Sequence, residues 1–513
     1  MSDVISSLRV RPWDPPVPHT SPGTPTRWAR RSTLFLRPRR TSMPTTREHM
    51  TPLELALSDP ARDSELKRCR QLFDEGGVTH VHCQYVSVQG RVLGKVMPVK
   101  YFLETAGRKG VPFGYAVAGG LQASLAGELL GPGGISTREG LLVPDLATAQ
   151  ILPWDPSVAR VFCDHFRSLR EEVGPGEPEE ADARGNLKRV IAAFREETGL
   201  ELRTGCEPEM SWFSGPDAID RSASFFPDWV GPSYHLEHIA EMMPILKRIT
   251  QYAQEMGFEM IQSDYEDPGQ LECNFLYDNA LATADRLITY RQICMAVAKE
   301  FGVLATFMPK PVPGIMANGC HHHASLWRGD ENVFADDDDL TDLGRHALGG
   351  LLEHTRGMTA VLASTTNSYA RFWDVGLFAP AVTNWGYDNR TTSYRVLPGR
   401  VEVRSPDAAV NPYLSHAALL GAMADGIRRN LDPGKPELGN AYAPSDEETP
   451  STFAAPPLTL SEALDALEED KAVRSVLPGS LYDTFTACKR DECNRRSGAI
   501  TDWDFNTYLR YTP

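Results

Sequence analysis

The chain has 513 residues, of which 41% are hydrophobic and 23% charged, with a formal net charge of −16. This size and composition are those of a globular protein with two or more domains and a sizeable core. The acidic balance argues against binding to nucleic acid or to an anionic membrane, and no run approaches the roughly 20 apolar residues that a spanning helix needs.

The cysteines and the first fifty residues bear on the cellular location. Nine cysteines are scattered without a C-x-x-C pair, which predicts a cytoplasmic protein with reduced thiols. Residues 1–50 combine many prolines with a basic run, Arg27–Arg40, and cannot bury enough apolar surface to order themselves. We expect a disordered arm, or an over-extended start with Met43 or Met50 as the true beginning. A transit peptide is the alternative, but the prolines disfavour an amphipathic helix.

Residues 51–155 predict a small β-rich domain. Segment Thr79–Tyr85 alternates in polarity, Gln89-Gly90 supplies a turn, and Arg91–Met97 predicts the returning strand of a hairpin. Two more short extended runs lie within Leu141–Trp154.

Residues 156–513 predict one large α+β domain, in which short polar strands alternate with helices. Helical periodicity is clear in four segments. These are Leu236–Met256, Ala280–Phe301, Leu343–Ala363 and Pro412–Arg429.

Four strand-like segments carry acids, histidines or arginines at alternate positions, so that each set points to one face. The sets are Glu207 with Glu209; Gln270 with Glu272 and Asn274; His321 with His323; and Arg400 with Glu402 and Arg404. Singly, such alternation usually marks a solvated face. Apolar and aromatic residues flank these sets, however, and several buried carboxylates cannot all stay ionised without cations. Carboxylates with one imidazole suit Mg²⁺ or Mn²⁺.

Further arginines follow in two polar segments, at Arg371, Arg390 and Arg395. A metal beside several arginines is the equipment for phosphoryl transfer, where charge on the moving phosphoryl group must be neutralised. The sequence has no Walker A loop and no kinase-like glycine loop. A nucleotide would therefore bind on another scaffold.

From about Thr79 to the C-terminus, the order and spacing of six motifs resemble the glutamine synthetase family. The motifs are E-x-E at Glu207 and Glu209, G-Q-x-E at Gly269–Glu272, H-x-H-x-S-L-W at His321–Trp327, N-S-Y-x-R at Asn367–Arg371, N-R-x-x-x-x-R at Asn389–Arg395, and R-x-E-x-R-x-P-D with N-P-Y-L at Arg400–Leu414.

The resemblance implies a small N-terminal β-grasp domain (residues 51–155) and a catalytic domain (156–513) with a funnel of antiparallel strands flanked by helices. It implies homo-oligomeric rings, hexamers or dodecamers, with active sites between neighbouring subunits. The implied reaction has two steps. ATP phosphorylates the γ-carboxylate of glutamate, and an amine then attacks the acyl phosphate.

The resemblance also implies residue roles, with two or three Mg²⁺ or Mn²⁺ ions per site. Glu209 and Glu272 would bind one metal, and Glu207, His321 and Glu402 another. Substrate carboxylate would be held by Arg371 and Arg404, and phosphates by the catalytic Arg390 and Arg395. His323 and Ser325 lie in the stretch that would contact the nucleotide.

One metal ligand departs from the family pattern. The family places a further metal-binding Glu seven or eight positions before the Glu of G-Q-x-E, where this chain has Tyr265 and Asp264. We expect Asp264 to serve as the ligand, with Glu266 as the alternative.

The amine site departs more strongly. The stretch matching the family's F-D-G-S-S turn is Phe113–Val117, which has no acid, and Phe378 stands where the family has a flap Glu. The family's Asn-Gly pair near the amino acid is replaced by Met316-Ala317. Ammonium needs carboxylates in its pocket, whereas a larger or less basic amine needs room and apolar walls.

We therefore predict a γ-glutamyl amide synthetase acting on alkylamines, polyamines, ethanolamine or anilines. Tyr115 and Phe378 would line the amine site, with Trp373 and Trp385 as further walls. A neutral arylamine would need no acid to take its proton, although Asp374 and Asp388 could bind an ammonium group. Three alternatives remain: a glutamine synthetase with a rearranged ammonium site, a ligase for another carboxylate, and a non-catalytic ring protein that binds metabolites or partners.

Overall fold

The computed structural model describes residues 50–114, 122–123, 129–130, 139–215, 233–314, 316–336, 339–373, 378–380, 382–442 and 453–509. The chain divides at residue 50, and the second unit, Met50–Pro513, is compact. The predicted N-terminal arm, except for Met50, and the predicted amine-site residue Tyr115 lie outside the described residues.

Strands and helices alternate through the second unit, as the sequence predicts for an α+β protein. The strands are β1 (His80–Val86), β2 (Val92–Pro98), β3 (Val111–Gly114), β4 (Gln122–Ala123), β5 (Leu129–Leu130), β6 (Glu139–Pro144), β7 (Gln150–Leu152), β8 (Asp155–Phe166), β9 (Glu201–Phe213), β10 (Met260–Asp267), β11 (Gln270–Phe275), β12 (Asp278–Asn279), β13 (Leu304–Thr306), β14 (Cys320–Arg328), β15 (Glu331–Asn332), β16 (Ala335–Asp336), β17 (Asp339–Leu340), β18 (Trp385–Tyr387), β19 (Tyr394–Leu397) and β20 (Arg400–Val403).

The helices cover the faces of the sheets. They are α1 (Pro52–Leu57), α2 (Ala61–Glu75), α3 (Val99–Tyr101), α4 (Gly107–Lys109), α5 (Ala183–Thr198), α6 (Leu236–Glu255), α7 (Ala280–Phe301), α8 (Asp342–Glu353), α9 (Thr355–Leu362), α10 (Ala370–Trp373), α11 (Pro412–Arg429), α12 (Leu460–Glu469), α13 (Lys471–Ser475), α14 (Gly479–Ser497) and α15 (Asp502–Tyr508), with a π-helical turn at Phe102–Ala106 and a 3-10 turn at Leu146–Thr148. No helix of the described ranges is long and apolar enough to cross a membrane.

The N-terminal sheet has six strands in the order β2-β1-β8-β6-β3, with β7 also paired to β8. Strands β1 and β2 form the antiparallel hairpin that the sequence predicts, and β1 also runs parallel to β8. Alternate residues Val81, Cys83 and Tyr85 of β1 are buried in the core beneath the sheet. Strand β8 runs from Asp155 to Phe166, so this sheet extends past residue 155, where the sequence analysis ends the N-terminal domain. The position of the domain boundary stays a prediction.

The second sheet has ten strands, seven of them in the order β10-β11-β9-β14-β20-β19-β18, with β12 and β13 on β9 and β15 on β14. On β9, Cys206, Met210 and Trp212 belong to a hydrophobic core shared with α6 and α7. The alternate residues Glu207 and Glu209 therefore point to the opposite face. That face carries the candidate site.

The predicted helices are confirmed with one correction. Helices α7 and α11 have the predicted bounds, and α6 ends one residue earlier than predicted. The segment Leu343–Ala363 is helical as predicted, but it is divided into two helices, α8 and α9, and the periodicity did not predict the break. The break lies at His354, whose Nδ1 and Nε2 are each 2.9 Å from a carboxylate oxygen, of Asp470 and Asp425 respectively.

Candidate functional site

Carboxylates from three neighbouring strands form a row across the second sheet. Glu209 on β9 lies opposite Glu272 on β11, and Glu272 lies opposite Asp264 on β10. Glu209 and Glu272 are only 8% and 7% exposed. Carboxylates that lie side by side with little access to water repel each other when they are ionised. A bound cation would relieve this repulsion, so the row is a candidate cation-binding site.

One group of potential metal ligands comprises Asp264, Glu266 and Glu272. One oxygen from each carboxylate lies within 4.8 Å of the other two. Both acids that the sequence offered as the further ligand, Asp264 and Glu266, thus stand beside Glu272. Hard oxygen ligands of this kind suit Mg²⁺ or Mn²⁺.

A second group comprises Glu207, His321 and Glu402, again with ligand atoms within 4.8 Å of one another. His321 lies opposite Glu207 in the β9–β14 register. Its Nδ1 is 3.2 Å from Glu207 Oε2 and 3.3 Å from Glu402 Oε1. The predicted set of two carboxylates and one imidazole therefore comes together around a single point.

Glu209 lies between the two groups and is held by the backbone. Its Oε2 accepts hydrogen bonds from the N–H of Gly319 at 2.7 Å and from Gln270 Nε2 at 3.0 Å. Without a cation, burial raises the pKa of Glu209 to about 7. Burial and the charges of Glu207 and Glu209 raise the pKa of Glu272 well above its usual range. A bound cation would favour the ionised form of both.

Two acids of the site, Glu207 and Glu402, have lowered pKa values because positively charged or hydrogen-bonding side chains lie beside them. Although burial opposes ionisation, hydrogen bonds from His321 and His323 hold the pKa of Glu207 below its usual range. Burial likewise opposes ionisation of Glu402, but the Arg404 guanidinium lowers its pKa.

Glu402 is fully buried and organises two of the predicted arginines. Arg395 lies opposite it in the β19–β20 register and donates from Nη1 to Oε2 at 3.1 Å. Arg404 donates from Nη1 to the other oxygen, Oε1. A single carboxylate thus fixes one predicted phosphate-binding arginine and one predicted substrate-binding arginine.

The buried arginines keep unused donors. Arg371 donates from Nη1 to the carbonyl of Ser405 at 3.0 Å. Among the described residues, the buried Nε atoms of Arg371 and Arg404 have no hydrogen-bond partner. Both arginines line the cavity described below, where their positive charge favours an anionic ligand. Arg390 is exposed and hydrogen-bonds the Tyr234 side chain.

These residues enclose a polar cavity of about 230 Å³. Its lining residues are Glu207, Glu209, Tyr234, Gln262, Asp264, Glu266, Glu272, Met316, Ala317, His321, Arg371, Phe378, Arg390, Arg395, Glu402 and Arg404. Phe378 is 44% exposed, has a positive φ of 59°, and its carbonyl accepts from Arg404 Nη2 at 3.3 Å. We call this space the acid–arginine cavity.

Two further predicted walls of the amine site are not part of this cavity. Trp385 is 1% exposed and donates its indole N–H to the Pro433 carbonyl at 3.0 Å, so it is a core residue. Trp373 is 66% exposed and donates to the Leu458 carbonyl at 3.1 Å. Their proposed role as amine-site walls was wrong, because both indoles serve other parts of the fold.

A second cavity of about 490 Å³ adjoins the first and shares Glu207 and Gln262 with it. Its lining includes the predicted nucleotide-contacting residues His323 and Ser325, and Tyr277 stacked on Trp327. The ring centroids of that pair are 6.2 Å apart and the planes 28° apart. Aromatic faces beside polar groups suit a purine base. We call this space the aromatic cavity.

His323 links the two cavities. Arg400 donates from Nε to His323 Nδ1 at 3.0 Å, so the imidazole proton lies on Nε2. Nε2 donates to Glu207 Oε1 at 2.8 Å. His323 thereby orients a candidate metal ligand on one side and lines the aromatic cavity on the other.

Gln262 and Tyr234 line the acid–arginine cavity but were not predicted from the sequence. Gln262, Asp264 and Glu266 alternate along β10, and this pattern could have identified them as one face. Tyr234 gave no comparable signal. It precedes α6, has a positive φ of 65°, and reaches the cavity through contacts with residues distant in the chain, Glu266 and Arg390.

Comparisons with known proteins agree with this geometry. Residues 180–508 match the family model described as the glutamine synthetase catalytic domain. A glutamine synthetase of Methanococcus voltae is 36% identical over 397 residues, covering 73% of this chain and 84% of that protein. A glutamate–methylamine ligase of Methyloversatilis universalis is 31% identical over 457 residues, covering 86% of this chain and 98% of that protein.

Solved structures are similar over the same length. The GmaS/ADP complex in conformation 1 superposes with a TM-score of 0.75 at 30% identity, covering 86% of this chain and 99% of that one. Apo GmaS without ligand gives a TM-score of 0.72, also at 30% identity. The α+β fold with an N-terminal strand domain is therefore confirmed by relatives as well as by the topology.

Proposed function

The chain belongs to the glutamine synthetase family of ATP-dependent ligases, and we propose that it joins glutamate to an amine other than ammonia through a γ-glutamyl phosphate. One observation carries the proposal. The acid–arginine cavity has Phe378 at the position where the family resemblance expects the flap Glu. The similarity to a glutamate–methylamine ligase over nearly its whole length supports the same reading.

The donor sets of the cavity fit divalent metal, and we propose Mg²⁺ or Mn²⁺. One set is carboxylate-only (Asp264, Glu266, Glu272) and the other adds an imidazole (Glu207, His321, Glu402). Glu209, between them, could bridge or complete either set. When bound, such ions neutralise charge on the phosphoryl group that is transferred.

The arginines supply the remaining positive charge. We propose that the unpaired Nε donors of Arg371 and Arg404 hold the α-carboxylate of glutamate. Arg395, fixed by Glu402, and the exposed Arg390 would hold the phosphates of ATP. The base of ATP would occupy the aromatic cavity beside His323 and Ser325. The γ-carboxylate and γ-phosphate would then meet between the metal-binding groups.

The proposed amine preference rests on the residues of the acid–arginine cavity that belong neither to the candidate metal groups nor to the arginines. The described acids of the cavity all belong to the candidate metal groups or lie next to them. Phe378, Met316 and Ala317 offer apolar contact instead. Each buried methylene of an amine substituent gains roughly 0.8 kcal/mol. An ammonium ion gains nothing of this kind, so an alkyl- or arylamine is the better partner.

An amine panel tests the proposal. ATP, glutamate and Mg²⁺ or Mn²⁺ are supplied with ammonium, methylamine, longer alkylamines, ethanolamine, a polyamine, aniline or no amine. Phosphate release and the mass of the amide are measured. We expect kcat/KM for the best amine to exceed that for ammonium by about tenfold or more, which corresponds to burying roughly two methylenes.

A glutamine synthetase is the second candidate, favoured by the 36% identity to a protein of that name. Ammonium as the best substrate would establish it and refute the changed amine site. Absence of amine-dependent phosphate release with every amine would refute ligase chemistry and support a non-catalytic ring protein.

We also propose homo-oligomeric rings and a cytoplasmic location. The exposed Trp503, Tyr508 and Leu509 near the C-terminus offer apolar surface for subunit contacts. Native mass spectrometry of the full chain tests the assembly. A monomer at micromolar concentration would contradict it.

A further inference from the structure

Behind the acid–arginine cavity, on the opposite face of the same two strands, lies a group of sulfur and nitrogen atoms. Cys206 precedes Glu207 on β9, and Cys320 and His322 flank His321 on β14. Because side chains alternate along a strand, these three point away from the cavity. Their exposed fractions are 3%, 0% and 0%, and one ligand atom from each lies within 4.8 Å of the other two.

The tautomer of His322 leaves a lone pair facing the sulfurs. Ser415 Oγ donates to the Pro412 carbonyl at 3.2 Å, so its contact of 2.9 Å with His322 Nε2 is one in which the imidazole donates. Nδ1 is then unprotonated and accepts a hydrogen bond from the Cys206 thiol at 3.6 Å, so a metal would replace that thiol proton. An imidazole that donates from one nitrogen and offers the other is the usual arrangement of a metal-binding histidine.

One neighbouring buried imidazole nitrogen has no hydrogen-bond partner among the described residues. His416, whose ring centroid is 5.1 Å from that of His322, donates from Nδ1 to the Ala280 carbonyl at 2.9 Å. Its Nε2 has no hydrogen-bond partner within the described part of the chain. Buried nitrogens are rarely left in this state without a reason.

We propose that Cys206, Cys320 and His322 form a binding site for a thiophilic cation of the zinc class. Two sulfurs and one imidazole nitrogen are the ligands that Zn²⁺ prefers in structural sites, whereas the acids on the other face suit hard cations. Binding forms two metal–sulfur bonds and releases both thiol protons to water. The dication then balances the two thiolate charges, which would otherwise be costly to bury.

His416, whose ring centroid lies 5.1 Å from that of His322, is a candidate for a fourth ligand. The site would tie β9 to β14, the two strands that carry Glu207 and His321. It is closed to solvent, so the metal would enter during folding and leave only on unfolding.

A disulfide between Cys206 and Cys320 is the alternative to metal binding, and the strand register disfavours it. In the register, Cys206 lies opposite His322 and Cys320 lies opposite Pro208, so the cysteines are diagonal neighbours. Diagonal positions lie about 7–8 Å apart, at the limit of what a disulfide spans.

The test uses the full chain expressed with added zinc and dialysed against a chelator. Metal content is measured on the native protein, and zinc release on unfolding is followed with a chromophoric chelator. We expect about one zinc per chain, retained until unfolding. Cys206→Ser and Cys320→Ser should lose it. Cys163→Ser is the matched control, because Cys163 is buried and hydrogen-bonded to Cys83 and also lies in a core cluster.

Cobalt distinguishes this site from the oxygen-rich groups across the sheet. Protein expressed with Co²⁺ should show a thiolate-to-metal charge-transfer band, which oxygen ligands do not give, and Cys206→Ser should abolish it. If the variants do not fold, the metal content, cobalt spectrum and free-thiol count of the native protein test the proposal. The proposal would be overturned if the protein held no chelator-resistant metal and all nine thiols were free. It would also be overturned if denaturation without reductant showed two fewer free thiols than the nine cysteines, which would indicate a disulfide.

Discussion

Glu209 and Glu272 lie directly opposite each other on the antiparallel strands β9 and β11, and both are more than nine-tenths buried. Two carboxylates in this position cannot both ionise without a compensating charge. The effect of this pair on thermal stability should therefore differ between the metal-free and the metal-bound protein.

Glu272→Gln should remove the Mn²⁺-dependent rise in Tm. Without metal, the same change should leave Tm unchanged or raise it, because the amide relieves repulsion with Glu207 and Glu209. Thermal unfolding with and without Mn²⁺ measures both effects. Glu259→Gln, an exposed acid just before β10, is the control and should keep the full Mn²⁺ response. An unchanged response in Glu272→Gln would remove Glu272 from the metal ligands.

Arg404→Gln should weaken glutamate binding and catalysis together. The change removes one predicted carboxylate donor and leaves Glu402, which is buried, with one fewer partner. Losing a charged hydrogen bond at a buried site costs about 1.5–3 kcal/mol, or roughly 10- to 150-fold in kcat/KM. Steady-state kinetics at varied glutamate measures it. Kinetics unchanged within about twofold would contradict the assignment.

Arg184→Met should strongly destabilise the fold. Arg184, on α5, forms ion pairs of 2.8–3.0 Å with Asp145, Asp164 and Asp285, and is 2% exposed. Removing it leaves the partly buried Asp285 without its cation, and Asp145 and Asp164 with Lys188 alone, which costs up to about 3–5 kcal/mol. Denaturant unfolding measures the loss. Arg195→Met on the same helix is the control, since its ion pair with Glu201 is exposed and contributes at most about 1 kcal/mol.

His354 should make stability depend on pH. Burial opposes its protonation, but hydrogen bonds and charge from Asp470 and then Asp425 raise its pKa above the usual value. Asp425 also pairs with Arg428 and Arg429. A raised folded-state pKa gives stability that is fully present below the unfolded-state pKa of about 6.5 and is lost as pH rises through the folded value.

The free energy of unfolding of the native protein should therefore exceed that of His354→Gln by more at pH 6 than at pH 9. Urea unfolding at both pH values measures it. His346→Gln is the control, because that imidazole contacts the backbone carbonyl of Leu431. A difference that does not vary with pH would contradict the ion-pair role.

The sequence predicts the faces of strands but not which strands meet. Alternation alone places Glu207 with Glu209 and His321 with His323. That His321 lies opposite Glu207 depends on pairing between β9 and β14, whose partners are more than 100 residues apart. The register is set by packing of the whole sheet, which local periodicity does not encode.

The helix break at His354 has the same kind of cause. Apolar periodicity continues through Leu343–Ala363 and predicts one helix. The partners that hold the break, Asp425 and Asp470, are 71 and 116 residues away. The motif resemblance, in contrast, pointed to acids and arginines that line the acid–arginine cavity, because those residues stand at fixed spacings within short segments.

Phe378→Glu should shift the amine preference toward ammonium. A carboxylate beside Arg404 would bind an ammonium ion and accept its proton, which an aromatic ring does not do. Turnover with the preferred amine should fall, because apolar contact is lost. Trp373→Glu is the control, since this exposed indole lies outside the cavity and should leave the preference unchanged.

Competition between ammonium and the preferred amine tests the central claim most directly. The native protein is supplied with both at equal concentration, together with ATP, glutamate and Mg²⁺, and the two amides are quantified by mass spectrometry. We predict that the γ-glutamyl amide of the larger amine exceeds glutamine by about tenfold or more. Glutamine as the main product would contradict the account and identify an ordinary glutamine synthetase.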